Sequence, residues 1–207
     1  GLDNWPIITD SNIESTNFLV SESNKKVEFL ERLLDQNQVI TIGGFIGRTN
    51  DGTITTYERG GSDRTAADLG ILLHKKLDVK IDLEKDSPVV SADPKIINDG
   101  LTHVQNLSYN EARLAGMFGM NILDPIAIKE ILENGVSMQI VITDIRNPQN
   151  ITTIERKSTN GNGHPIKIIT GKKNCAILRM EDESAHKLLE SLENKKRYSE
   201  FVILSPF

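Results

Sequence analysis

One cysteine, Cys175, stands in 207 residues, so no disulfide can close within the chain. Nothing in the sequence asks for an oxidising compartment. Aromatic residues are scarce at 5%, with a single tryptophan, and no basic patch interleaves with them. Together with a formal net charge of −5, this argues against general affinity for nucleic acid. No apolar run approaches the length that spans a membrane, and no secretory signal pattern opens the sequence. The expectation is a cytoplasmic protein with no membrane partner. Phosphate-loop and metal signatures are missing too. There is no G-x-x-x-x-G-K-[ST] run, and Gly161-Asn162-Gly163 lacks a leading strand and a third spaced glycine. No His-Glu-x-x-His helix and no paired cysteines occur. The four histidines (His74, His103, His164, His186) are scattered and read as surface residues, so no resident metal site is expected.

What is present is ordinary globular material. Apolar residues make up 38% and charged residues 26% of the chain, as in soluble domains. The length suits one domain, or one and a piece of another.

The chain is organised around residues 43–63. The apolar run Val39, Ile40, Thr41 and Ile42 predicts a buried strand leading in. Gly43, Gly44 and Gly47 surround Phe45, where backbone must approach closely or turn unusually. A polar excursion follows, with a hairpin at Asp51-Gly52 flanked by β-formers at 53–57. Then come Arg59, Gly60, Gly61, Ser62 and Asp63. Residues 63–77 predict a helix, with apolar positions at Ala66, Leu69, Leu73 and Leu77. Strand, glycine loop and helix start together offer N–H groups and a positive dipole end to an anion. The plainer reading is a tight connection with Ser62 as N-cap.

Around this centre, residues 5–10 look like a strand and residues 11–23 like a polar loop. Residues 25–34 carry a helical stripe at Val27, Phe29, Leu30, Leu33 and Leu34. Residues 79–83 alternate as a strand, residues 84–91 form a charged loop, and residues 92–95 a turn. Ser108 and Glu111 make a capping box for a helix to about Phe118, ended by Gly119. Pro125 opens a second helix, which reaches Asn134 and stops at Gly135. Residues 138–143 are a strand, and residues 152–154 and 166–170 are short strand-like runs. The alternation predicts an α/β layered fold with a largely parallel sheet. Beyond Gly171 the pattern changes. A strand at 174–180, a helix capped by Asp182 and a strand at 201–205 make one β-α-β unit, half of a ferredoxin-like domain. The acidic run Glu181, Asp182, Glu183 reads as a solvated helix start. A domain boundary is expected at 170–173.

Gly44-Phe45-Ile46-Gly47, then Thr55-Thr56, then Arg59-Gly60-Gly61-Ser62-Asp63 resemble the central segment of aspartate kinases. The segments C-terminal to these fit in the same order: residues 92–95 (Ala-Asp-Pro-Lys), 107–112 (Leu-Ser-Tyr-Asn-Glu-Ala), 118–125 (Phe-Gly-Met-Asn-Ile-Leu-Asp-Pro) and Asn147-Pro148. Residues 5–12 agree too. The resemblance implies a three-layer, carbamate-kinase-like amino-acid-kinase fold. Residues 1–170 would be the C-terminal part of its catalytic domain, and residues 171–207 the incomplete start of an ACT regulatory domain. The family's Lys-Phe-Gly-Gly motif and its upstream acidic residue for the substrate amine do not occur here, so the chain is expected to be a fragment that does not catalyse alone.

The implied reaction uses ATP to phosphorylate the side-chain carboxylate of L-aspartate, giving 4-phospho-L-aspartate on the way to lysine, threonine and methionine. Arg59, with its planar fork, and Ser62 would take the aspartate carboxylate. Gly60 and Gly61 would hold phosphoryl oxygens through backbone N–H groups, and Phe45 would wall the substrate pocket. Asp63 would be the catalytic residue, orienting a lysine or Mg2+. ATP contacts would fall at Glu84, Lys85, Val90, Lys95, Asn121 and Ile122. The family usually has Thr-Asp at 84–85, an aromatic at 90, arginine at 95, lysine at 121 and histidine at 124. The resemblance also implies an amino-acid effector at the ACT region and a homodimer or higher homo-oligomer. Two alternatives stand beside it: another amino-acid kinase, acting on glutamate or N-acetylglutamate, and a non-catalytic, amino-acid-sensing relative.

Overall fold

The computed structural model of the chain describes residues 4–36, 39–58, 60–157, 166–171, 173, 180, 181, 183–185, 187, 188 and 191. In chain order the elements are α1 (Val20–Asn24), α2 (Val27–Gln36), β1 (Ile46–Arg48), β2 (Ile54–Thr56), α3 (Gly61–Leu73), β3 (Lys80–Lys85), β4 (Asn106–Ser108), α4 (Tyr109–Met117), α5 (Pro125–Glu133), β5 (Gln139–Asp144) and β6 (Ile151–Glu155).

Four strands form the main sheet in the order β3-β5-β6-β4. Register places one apolar residue of each strand in a single row: Ile81 opposite Ile140, Ile140 opposite Ile154, Ile154 opposite Leu107. All four are buried. Because side chains alternate faces along a strand, the same face carries Leu83 and Ile142, one step toward the strand ends. Helices α3, α4 and α5 cover it. Ala67 and Ile71, Ala112 and Ala115, and Ala127, Ile128 and Ile131 complete the core. The opposite face of β3 is polar, with Lys80, Asp82 and Glu84 exposed.

Local chemistry explains the ends of the helices. Ser108 Oγ accepts from the Glu111 N–H at 3.2 Å, and Glu111 Oε2 accepts from the Ser108 N–H at 2.6 Å, a reciprocal cap. Pro125 stands in the first turn of α5, and Asp124 caps it through Ile126 N–H at 2.7 Å. The Tyr109 hydroxyl ties α4 to the start of β5, donating to the Met138 carbonyl and accepting from the Met138 N–H at 3.0 Å. The predicted hairpin is present. β1 and β2 pair antiparallel around Asp51-Gly52, and Gly52 N–H donates to Thr49 O at 3.1 Å. Residues 5–9 run beside it: Ile8 bridges Arg48, and the Trp5 indole N–H donates to Ile46 O at 3.0 Å.

Several expectations change. Residues 39–42 pair with no strand among the described residues, and Val39 is 84% exposed. An apolar run becomes a strand only where a neighbour completes its ladder. The strand-like segment at 5–10 is buried at Ile7 and Ile8 but forms only isolated bridges. Helix α1 begins inside the expected loop at 11–23. Strand β3 continues through Glu84 and Lys85, which the sequence assigned to a loop. Strand β4 was not expected, and residues 166–170 supply a single bridge, Ala92 to Ile169. The expected largely parallel sheet is present, with β3–β5 and β4–β6 parallel and β5–β6 antiparallel. Helix α3 turns a different face inward. Arg64, Ala67, Asp68 and Ile71 are buried, while Leu77 is 44% exposed. Most of the proposed β-α-β unit lies outside the described residues, including both of its strands apart from Met180, as does its capping Asp182.

Tyr109→Phe leaves the buried Met138 N–H and carbonyl without their partner. We expect it to lower the unfolding free energy by about 1–3 kcal/mol, read from a urea melt. A loss below about 0.5 kcal/mol would show that water replaces the hydroxyl there.

Candidate active site

The period of two that builds the core also builds the site. Ile81 and Leu83 point from β3 into the core, so Lys85 points to the same side at the strand's C-terminal end. There it meets the first turn of α3. Lys85 Nζ donates to Asp63 Oδ2 at 3.2 Å, with the two side chains 18% and 19% exposed. The same oxygen accepts from the backbone N–H of Asp124 at 3.2 Å. Asp63 thereby joins β3, α3 and the start of α5. The crevice beyond the carboxyl ends of parallel strands is where α/β sheets bind ligands. A shallow, open depression also exists at the other end of β3 and β5, lined by Lys80, Gln139, Glu155 and Arg156 among others. Its mixed, solvated charges converge on no common point.

The glycines allow this junction. Gly60 is the residue before α3 and has φ +91°, a left-handed conformation that costs other residues strain. A Cβ there would stand 2.5 Å from Asp124 Oδ2. A Cβ on Gly61 would stand 2.5 Å from Tyr57 Cβ and 2.7 Å from Phe45 Cδ2. Phe45 itself has φ +73°, sparsely populated for a bulky residue. It is held there from two sides. Its N–H donates to Thr65 Oγ1 at 2.9 Å, and its carbonyl accepts from Tyr57 N–H at 3.1 Å. Its ring is 39% exposed.

Of the residues picked out in the sequence, Phe45, Gly60, Gly61, Ser62, Asp63 and Lys85 come together here. Ser62 is exposed in the first turn of α3, and the N-cap position belongs to Gly60 instead. Arg59 lies outside the described residues. Glu84 points to the opposite face of β3. Val90 is half-buried and bridges His103. Lys95 is exposed in a turn, its N–H on Asp93 Oδ1 at 2.9 Å. Asn121 is exposed, and Ile122 is 2% exposed in the core.

Asp124 is a site residue that the reading of the sequence did not select, although its difference from the family pattern was visible. Its carboxyl is held above the usual carboxylate range, mainly by burial and also by nearby Asp63, against the pull of the Ile126 N–H and Arg64. The site thus contains two acids and one lysine, framed by two helix starts. Such a set can bind anionic oxygens through N–H groups and Lys85, and can hold a hard cation through carboxylate oxygens. Among the described residues it contains no activated nucleophile.

The chain matches the amino acid kinase family over residues 8–144. It is 31% identical over 180 residues to the aspartokinase of Rickettsia felis, a match covering 86% of this chain and 43% of that protein. The crystal structure of Clostridium acetobutylicum aspartate kinase superposes with a TM-score of 0.62 at 25% identity, covering 91% of this chain and 43% of that one. Escherichia coli aspartokinase III, in complex with lysine and aspartate, gives 0.62 at 25% identity over 74% of this chain and 34% of that one. The chain therefore spans less than half the length of these relatives.

Gly61→Ala should cost about 1–3 kcal/mol by overpacking against Tyr57 and Phe45. Gly60→Ala should cost about 1–2 kcal/mol through its backbone conformation and should also displace the Asp124 carboxylate. Melting curves on both variants check this. Parent-like melting of Gly61→Ala would mean that Phe45 does not sit against the glycine turn.

Proposed function

The chain belongs to the amino acid kinase family, and on that premise we propose that it is part of an aspartate kinase. The reaction would be transfer of the γ-phosphoryl group of ATP to the side-chain carboxylate of L-aspartate, giving 4-phospho-L-aspartate and ADP. This would be the first step toward lysine, threonine and methionine. The observation that carries the reading is the shared Asp63 oxygen, which brings Lys85 and the start of α5 to the glycine turn at the carboxyl end of β3.

In this reaction a carboxylate oxygen attacks the γ-phosphorus while the bond to the bridging oxygen of ADP breaks. The enzyme's part is positioning and charge stabilisation. Gly60, Gly61 and Ser62 would meet the anionic oxygens at the positive end of α3, Gly61 by exchanging its present bond to the Glu58 carbonyl at 3.0 Å. Phe45 would wall the aspartate pocket, and Arg59 would fix the aspartate carboxylate by two parallel bonds. Lys85 would bring positive charge to the phosphates in place of the lysine that the resemblance puts at residue 121. Asp63 would orient it. Glu84, Val90, Lys95, Asn121 and Ile122 remain nucleotide contacts by resemblance.

The donor set fits Mg2+ arriving with the nucleotide. The described bonds engage Asp63 through Oδ2 and Asp124 through Oδ1. The other oxygen of each is a hard donor, and Mg2+ in such sites takes one or two carboxylates plus phosphate. When bound, the ion would neutralise phosphate charge. An amino-acid effector acting through residues 171–207 and a homo-oligomeric assembly belong to the same reading.

Trp5, bonded to Ile46 and 3.8 Å from a Cβ built on Gly43, reports on the glycine loop. Its fluorescence should respond to ATP and to L-aspartate added to the chain. Arg59→Lys keeps charge but loses the bidentate fork. It should weaken aspartate binding on the order of tenfold to a hundredfold, from a loss of about 1.5–3 kcal/mol. In the longer enzyme restored by its upstream sequence, Asp63→Asn should lower turnover more than either Michaelis constant. If neither ligand binds the chain, the reading fails. If both variants melt early yet bind and turn over like the parent, these residues only stabilise a turn.

A further inference from the structure

Directly behind the Asp63 junction, three buried polar side chains, Tyr57, Arg64 and Asp68, meet the partly buried Glu130 between α3 and α5. Arg64, 4% exposed, donates from Nη2 to Glu130 Oε1 at 2.7 Å. Its guanidinium carbon lies 4.2 Å from the centroid of the Tyr57 ring. The Tyr57 hydroxyl donates to Asp68 Oδ2, and Asp68 is fully buried. Arg64 and Asp68 stand one turn apart on the same face of α3. With both acids ionised, this dry cluster would hold two negative charges against one positive. Uncompensated charge of that kind is among the costliest things to bury.

Two atoms show how the excess is removed. Asp68 Oδ1 and Glu130 Oε2 are both buried and have no hydrogen-bond partner among the described residues. Both carboxyl groups neighbour the Arg64 side chain, Glu130 through its ion pair and Asp68 from one turn further along α3. Arg64 Nε is buried without a partner among the described residues as well and so bonds neither oxygen; the donor these acceptors need is a proton on one of them. We propose that Asp68 keeps a proton in the fold and shares it with Glu130 as a hydrogen-bond donor, and that this proton fastens α3 to α5 behind the candidate site. The cluster then contains one cation, one anion, one acid and one phenol, with no net charge.

The latch sits where slippage would matter. Gly60 and Asp63 lie at the start of α3, and Asp124 lies at the start of α5. The bond from Asp124 N–H to Asp63 therefore depends on the register between these helices. Burial, and then Glu130, hold the Asp68 proton well above the usual carboxylate range, against the pull of the Tyr57 and Arg64 contacts. The folded chain thus binds this proton more tightly than the unfolded chain. Its stabilising contribution is complete below the ordinary carboxylate pKa and is lost as pH rises through the raised one. Tyr57 faces the pair from the β2–α3 connection, Arg64 from α3 itself and Glu130 from α5. Asp124, at the start of α5, feels the charges of both Arg64 and Glu130, whereas Lys85 of β3 pairs with Asp63, Glu31 of α2 with Lys76, and Glu22 of α1 with Lys25. The proposal stands apart from the kinase reading, since it concerns a proton and not a ligand.

The test is infrared spectroscopy of the chain near neutral pH. The expected result is a protonated-carboxyl band that disappears in Asp68→Asn, while any band from Asp124 stays. Asparagine keeps the shape, accepts from Tyr57 and donates to Glu130 at every pH. The melting temperature of the parent should therefore fall relative to Asp68→Asn, by about 2–4 °C or more per kcal/mol lost, as pH rises from about 6 to about 9. If Asp68→Asn does not fold, Glu130→Gln replaces it, because the glutamine amide donates to an ionised Asp68 and the band must again vanish. No protonated-carboxyl band in the parent, or a band that survives both substitutions, overturns the shared proton. Melting temperatures that stay parallel across this range overturn the latch.

Discussion

A single carboxylate oxygen, Asp63 Oδ2, is where the architecture converges. It receives the ammonium of Lys85 from the end of β3 and the backbone N–H of Asp124 from the start of α5. Asp63 lies in the first turn of α3, where a negative charge also suits the helix dipole. Charge-assisted bonds of this sort are stronger and more directional than neutral ones. Three elements far apart in the chain are thus brought to one point, and the glycine turn at Gly60 and Gly61 is what lets the backbone approach that closely.

The sheet delivers Lys85 to this place. The row Ile81, Ile140, Ile154 and Leu107 fixes the register of all four strands through one buried line of apolar side chains. A slip of one residue would turn that line to the polar face. The same slip would turn Lys85 away from Asp63. Core packing and site geometry are therefore consequences of one register, and the sheet could not keep the first while losing the second.

The chain matches the amino acid kinase family over residues 8–144. Lysine stands at 85 and asparagine at 121, and aspartate at 124 caps α5. The positive charge at the end of β3 is Lys85, paired with Asp63. Behind it, the interface between α3 and α5 is polar at its centre, with Arg64, Asp68 and Tyr57 buried against the partly buried Glu130. Interactions of this type give helices a defined register where apolar contacts alone would allow sliding, provided every group is satisfied.

Features that depend only on neighbours along the chain were settled by the amino-acid order alone. The capping box at Ser108 and Glu111, Pro125 at the start of α5, the hairpin at Asp51-Gly52 and the glycine turn before α3 are all local chemistry, and all were legible. So was the family resemblance, because its motifs lie in order along the chain. The alternation Val79, Ile81, Leu83 was legible as well, although the charges of 84–91 concealed that the strand continues to Lys85. Tertiary structure decided the rest. Whether Val39 to Ile42 would pair, that β6 would run antiparallel to β5, and that a strand would form at 106–108 depended on distant partners. The inward face of α3 is the clearest case. Periodicity marked Ala66, Leu69, Leu73 and Leu77, yet Arg64 and Asp68 are the ones buried, because only Glu130 and Tyr57, brought in from elsewhere in the fold, give those polar groups the partners that make burial tolerable.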